Sequence, residues 1–183
     1  FGTEEGISIY DGVQTKVYKP SEFHRQNANP IGNQTHFIAG DKDGNVFFDS
    51  DQSLIRYDIQ TQKFSCLRKS NVYTVASIKG TIWVGIADSI LTWNPDKNDF
   101  DFVTRLENRN QRATCLLEDS GGRYWIGTTD GLFKMNDDKS LTCMIMGEDI
   151  YDLYEDSKYN LWISIRMNGM YKRDVHGNFT RYR

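Results

Sequence analysis

The side chains best suited to recognition chemistry in this 183-residue chain lie where its otherwise regular pattern breaks. Arg166, Met167 and Asn168 interrupt one regular stretch, Thr129 and Asp130 another, and the polar run LENRNQR at 106–112 supplies Asn108 and Arg112. The segment KPSEFHRQNANPIGNQ at 19–34 adds Phe23, His24 and Arg25. Arginine, asparagine, aspartate and an aromatic ring are the groups that orient a polyhydroxyl or acidic ligand. The expected ligand-binding set is therefore Arg166, Asn168, Asp130, Thr129, Asn108, Arg112, His24 and Arg25.

Catalytic and metal chemistry find less support. His24, His36 and His176 are far apart, and none lies in a metal-ligand pattern. Cys66, Cys115 and Cys143 cannot all pair, and their spacing is not that of a metal site. DKDGN at 41–45 looks like the start of a calcium loop, but Gln52 stands where a bidentate glutamate belongs, so a hairpin turn is the better reading. No GxSxG or phosphate-binding loop occurs, and no carboxylate pair stands out for glycosidase chemistry. We expect no catalytic residue, no metal and no cofactor. Charge is spread evenly, 22 basic against 25 acidic residues, so no phosphate-tracking surface and no nucleic-acid partner is expected.

The elements that must position these groups repeat. LLEDSGGRYWIGTTDGLFKMNDDKSLTCM at 116–144 is echoed by IAGDKDGNVFFDSDQSLIRYD, VASIKGTIWVGIADSILTWN and LYEDSKYNLWISIRMNGMYKRD, and by the opening FGTEEGISIYD. The anchor aromatics Phe47, Trp83, Trp125 and Trp162 are 36, 42 and 37 residues apart. Within each unit short alternating segments are separated by Asp/Gly turns, and nothing shows a helical period. Repeats of this length built from four short strands are blades of a β-propeller, an all-β fold. Gly85, Gly127 and Gly2 recur just after the anchor, where a side chain would obstruct the next blade. The interval from Asp119 to Trp125, repeated from Asp156 to Trp162, is wider than in the Asp box of sialidases. Trp93 shares its repeat position with Tyr10, Tyr57 and Met135, which points to core packing rather than sugar stacking.

The frame LEDSGGRYWIGTTDGLFKMN resembles the two-component regulator propeller repeat, best over 112–144 and with decay elsewhere: Tyr159 replaces a turn glycine, Ser164 and Ile165 replace Gly-Thr, and Phe47 and Asp49 replace Trp and Gly. The resemblance implies a ligand-sensing segment in the periplasmic part of a membrane-anchored hybrid histidine kinase. It also implies an oligosaccharide ligand, a homodimeric parent sensor, kinase activity elsewhere in that parent, and the rest of the ring from further blades or another chain. The alternatives are a propeller enzyme, lyase or glycosidase, which would need an unrepeated acid/base pair on one face, and a scaffold propeller, whose GH and WD dipeptides are missing.

The division expected is 1–18 as the C-terminal part of a blade, 19–34 as an inter-blade insertion, and blades at 35–70, 71–108, 109–146 and 147–183. Four blades and a remnant fall short of the usual closed ring, so an open arc is expected, with Cys115 buried and Cys66 and Cys143 on separate blades.

Overall fold

The computed structural model describes residues 2–3, 6–10, 12–18, 35–50, 53–108 and 110–183, so the insertion at 19–34, with His24 and Arg25, lies outside the described residues. All regular structure among them is β-strand. β1 (Gly2–Thr3), β2 (Gly6–Tyr10) and β3 (Thr15–Tyr18) form a three-stranded sheet. Four four-stranded antiparallel meanders follow. They are β4 (Ile38–Gly40) to β7 (Lys63–Lys69), β8 (Val72–Ile78) to β11 (Asp99–Arg105), β12 (Ala113–Glu118) to β15 (Leu141–Met146), and β16 (Ile150–Glu155) to β19 (Phe179–Tyr182). The intermediate strands are β5 (Val46–Ser50), β6 (Ser53–Asp58), β9 (Thr81–Ile86), β10 (Ser89–Asn94), β13 (Tyr124–Thr128), β14 (Gly131–Met135), β17 (Leu161–Ile165) and β18 (Met170–Arg173). Each meander supplies the four short strands that the repeat implies.

The second strands of the three inner blades, β5, β9 and β13, are buried almost throughout because both sheet faces are covered: β9 reads TIWVGI with only Thr81 exposed. Each seam between consecutive blades has its own apolar cluster. Ile7 meets Phe48 and Ile55 at the first seam, and Phe47 and Leu54 meet Val75 and Val84 at the second. Trp83 and Ile90 meet Ile126 and Phe133 at the third, and Trp125 and Leu132 meet Leu153 and Ile163 at the fourth. Five sheets joined by four seams make an open arc rather than a ring. The first strands β4, β8, β12 and β16 lie side by side along its concave wall.

Close approach at the seams explains the glycines after the anchors. A Cβ on Gly127 would stand 2.3 Å from Cys115 Sγ and 2.7 Å from Ile150 Cγ2, and one on Gly85 would stand 2.9 Å from Ala113 Cβ. Cys115 is buried there, and desolvation pushes its thiol up to about 12. All three cysteines carry free thiols. Trp93 is core, edge-on to Phe47 at 5.3 Å and to Phe100 at 5.1 Å.

Turns between first and second strands are built on one aspartate. Asp119 Oδ1 accepts the Gly121 and Arg123 amides, and its Oδ2 accepts the Trp125 indole N–H at 2.8 Å. Asp156 repeats the pattern with the Lys158 and Asn160 amides and the Trp162 indole, also at 2.8 Å. The aspartate thus ties the turn to the anchor, a link the hairpin reading of the sequence did not include. Asp41 accepts the Asp43 and Asn45 amides in the same way, so the segment that looks like a calcium loop is one of these hairpins.

Candidate functional site

The concave wall carries a groove of about 780 Å³ at the end of the arc where second strands turn into third strands and each blade hands over to the next. Its position follows from an irregularity that recurs in the first strands. In β8 the register slips between Val72 and Thr74, in β12 between Ala113 and Cys115, and in β16 between Ile150 and Asp152. The residue left out of each ladder is Tyr73, Thr114 or Tyr151. A bulge of this kind re-aims the unpaired side chain, and all three line the groove. In the second blade Phe37 accepts the Asp49 amide through its carbonyl, so the preceding residue, His36, holds the same place and lines the groove too.

Arginines stand over two of these aromatics. Arg112 lies 4.9 Å from the Tyr73 ring centroid, reaching back from the fourth blade onto the third. Arg166 lies 5.0 Å from the Tyr151 ring centroid within the last blade. Backbone and side chain pin both arginines. The Thr129 amide donates to the Arg112 carbonyl at 3.1 Å, while the Arg112 amide donates to Thr129 Oγ1 at 3.3 Å. The Arg166 amide donates to the Asp149 carbonyl and its Nε donates to Asp149 Oδ2 at 2.9 Å. At the other end of the groove the His36 ring meets Asp49 Oδ2 through Nδ1 at 3.0 Å. Asp49 is only 2% exposed and also accepts the His36 and Phe37 amides at 2.7 and 2.6 Å. It stands where the third and fourth blades have glycine, and its carboxylate fixes the ring from behind while the imidazole remains largely open to solvent.

The structure brings together three of the residues the sequence singled out, Arg112, Thr129 and Arg166, as lining of this groove. The others serve the loops around it. Asn108 accepts the Asn110 amide in a local turn, the Asp130 carbonyl accepts the Gly147 amide, and Asn168 donates to Glu148 Oε2 at 3.2 Å. His24 and Arg25 lie outside the described residues. Sequence reasoning passed over His36, Tyr73 and Tyr151. Two tyrosines at the same place in two repeats were the available signal, but a strand pattern does not show which residue will be bulged. Among the described residues no cluster of metal-ligating side chains occurs.

Residues 109–130, which span the first two strands of the fourth blade and include Arg112 and Thr129, match the two component regulator propeller profile. No curated protein matches the chain in sequence. Among solved structures, the extracellular domain of the putative hybrid two component system BT4673 from B. thetaiotaomicron superposes with a TM-score of 0.75 at 19% identity. That match covers 98% of this chain and 25% of that domain, so the chain spans about a quarter of its length. PorZ, a surface component of the type-IX secretion system of Porphyromonas gingivalis, gives a TM-score of 0.72 at 15% identity over 99% of this chain and 32% of that one. Virginiamycin B lyase from Staphylococcus aureus gives 0.66 at 16% identity over 84% and 57%. At these identities the likeness is one of fold, and that fold is shared by the extracellular domain of a two component system, a secretion component and an enzyme.

Proposed function

We propose that this chain is a ligand-sensing segment of a propeller in the periplasmic or extracellular part of a membrane-anchored hybrid two-component sensor. It binds an oligosaccharide in the axial groove and passes the bound state to a histidine kinase elsewhere in a dimeric parent; the segment itself is not catalytic. The observation that carries the reading is the groove, where Arg112, Arg166 and His36 gather around the bulged first-strand residues Tyr73, Thr114 and Tyr151, in a chain whose residues 109–130 match the regulator propeller profile. A rigid repeat scaffold with variable side chains at one rim is how such folds present a binding surface. Calorimetric titration with an oligosaccharide panel tests it, comparing the parent chain with Arg166→Ala and Asn108→Ala. Arg166→Ala should weaken binding, and Asn108→Ala, outside the groove, should not; an equal response, or no response, in both variants removes this face from consideration.

A second reading rests on the His36–Asp49 pair. An imidazole oriented by a buried carboxylate at a groove mouth is an arrangement a general base uses, and a lyase shares this fold. Product formation by the parent chain and not by His36→Ala, in a screen of lyase substrates, would favour this reading over the sensor.

A further inference from the structure

We infer that the groove selects an acidic saccharide and that the carboxylate of a uronate-type sugar sits on the Arg112 guanidinium. The inference rests on the ligand-sensing reading and adds the class of ligand.

Three observations carry it. The first is the state of the two arginines. Stacking on an aromatic ring uses the face of a guanidinium and leaves its N–H donors radiating from the edge, in the fork that matches a planar carboxylate. Arg112 makes no ion pair and no side-chain hydrogen bond among the described residues beyond its seat on Tyr73. Arg166 gives only Nε to Asp149, leaving its terminal nitrogens without a partner among the described residues.

The second is shape. The bulge positions of the last three blades read Tyr73, Thr114 and Tyr151, so a small residue stands between two rings. The Thr114 hydroxyl donates to the Ile150 carbonyl at 2.6 Å and is held down in the wall. A notch results, floored by Thr114 and bordered by Arg112 and Thr129, with Arg166 on its far side. The third is charge. Two carboxylates near the rim are engaged: Asp49 is buried beneath His36 and Asp149 is paired with Arg166, so neither opposes an incoming anion on the Arg112 side, while Asp130, next to Thr129, is exposed outside the groove lining. Asp152 is the exposed carboxylate of the lining and belongs to the last blade, beyond Tyr151.

The test is titration of the chain with galacturonate, glucuronate, mannuronate and guluronate trimers, each against its methyl ester, and with neutral trimers of the same length. At least one free acid should bind about tenfold or more tighter than its ester, since a charge-assisted bidentate pair is lost on esterification. Arg112→Gln should remove that preference, Tyr73→Phe should keep it, and Tyr73→Ala should weaken it by unseating the arginine. Arg105→Gln, on the outer strand of the third blade, should leave it unchanged, with thermal melts of every variant confirming the fold. Binding of neutral trimers with no difference between acids and esters overturns the inference and leaves the sensor reading standing. Failure of every saccharide to bind overturns both.

Discussion

The fourth and fifth blades carry nearly the same turn and anchor, yet the two anchors stand in different surroundings. Trp125 and Trp162 each donate to an aspartate six residues earlier, both at 2.8 Å. Trp125 is 1% exposed because the last blade lies over it, with Leu153, Leu161 and Ile163 in contact. Among the described residues the same face of the last blade carries no further sheet: Trp162 is half-buried against Tyr182 and Lys172, and Tyr154 is exposed. The turn is complete within one blade; the core requires two.

Truncating the anchors should separate the two blades most strongly. Trp125→Ala should destabilise the chain by about 3–5 kcal/mol, as for other fully buried tryptophans. Trp162→Ala should cost no more than about 1 kcal/mol, the level of a side chain without a full core around it. Paired chemical denaturation curves check both, and equal losses would mean that the aspartate bond, not the seam, sets the anchor's contribution.

A smaller difference should appear at the residue two places after the anchor. Gly127→Ala places a methyl against Cys115 and Ile150 and should cost about 1–3 kcal/mol through overpacking. Ser164 already occupies the matching place in the last blade, and Ser164→Ala should fall within about 0.5 kcal/mol of the parent. The difference in melting temperature between these two substitutions measures how tightly blades close on one another.

The turn aspartates, common to both blades, give a pH dependence. Burial alone would raise the Asp119 pKa, but hydrogen bonds from the Trp125 indole and from the Arg123 amide and guanidinium outweigh it, and the carboxyl lies below the ordinary aspartate value. Bonds from Trp162 and Asn160 lower Asp156 more strongly. Because both pKa values fall on folding, the stability they contribute is fully present above the unfolded value and is lost as pH drops through the folded one. Thermal melts from pH 7 downward should therefore show a decline beginning below about pH 4. The double variant Asp119→Asn and Asp156→Asn should decline less steeply while starting lower, since the single oxygen of an asparagine cannot accept from both the turn amides and the buried Trp125 indole, leaving one donor unpaired at about 1–3 kcal/mol.

The slightest contrast between the two blades lies in the backbone of the turn. Gly122 turns the fourth blade's hairpin at φ 76°, and Tyr159 performs the same turn at φ 63°. An L side chain in that region costs about 1–2 kcal/mol, so Tyr159→Gly should raise stability by about 1 kcal/mol after the entropy that glycine restores to the unfolded chain. A rise in denaturation midpoint at constant slope checks it, and a fall would show that the exposed Tyr159 ring makes a contact worth more than the strain.

What is settled within a few residues of chain could be read from the residues alone. Asp119 and Gly122 in DSGG dictate the hairpin and the alternation in RYWIGT and GLFKM dictates strands, because turn geometry and side-chain alternation act over two to six residues; recurrence of these local units then marks the blades. The close approach at Gly85 and Gly127 is legible too, since a glycine that recurs beside an aromatic marks such a contact. The groove was legible only in part. Arg112, Thr129 and Arg166 were found as departures from the repeat, but their seats on Tyr73, the Arg112 backbone and Tyr151 were not. Those contacts depend on a bulge that slips the first strand's register and on neighbouring blades whose equivalent residues lie some forty positions apart in the chain. The His36–Asp49 pair was hidden for the same reason: thirteen residues separate the two, and only the pairing of β4 with β5 sets the carboxylate behind the ring. Local rules set the strands and turns, and the stacking of one blade on the next decided which side chains became core and which came together at the rim.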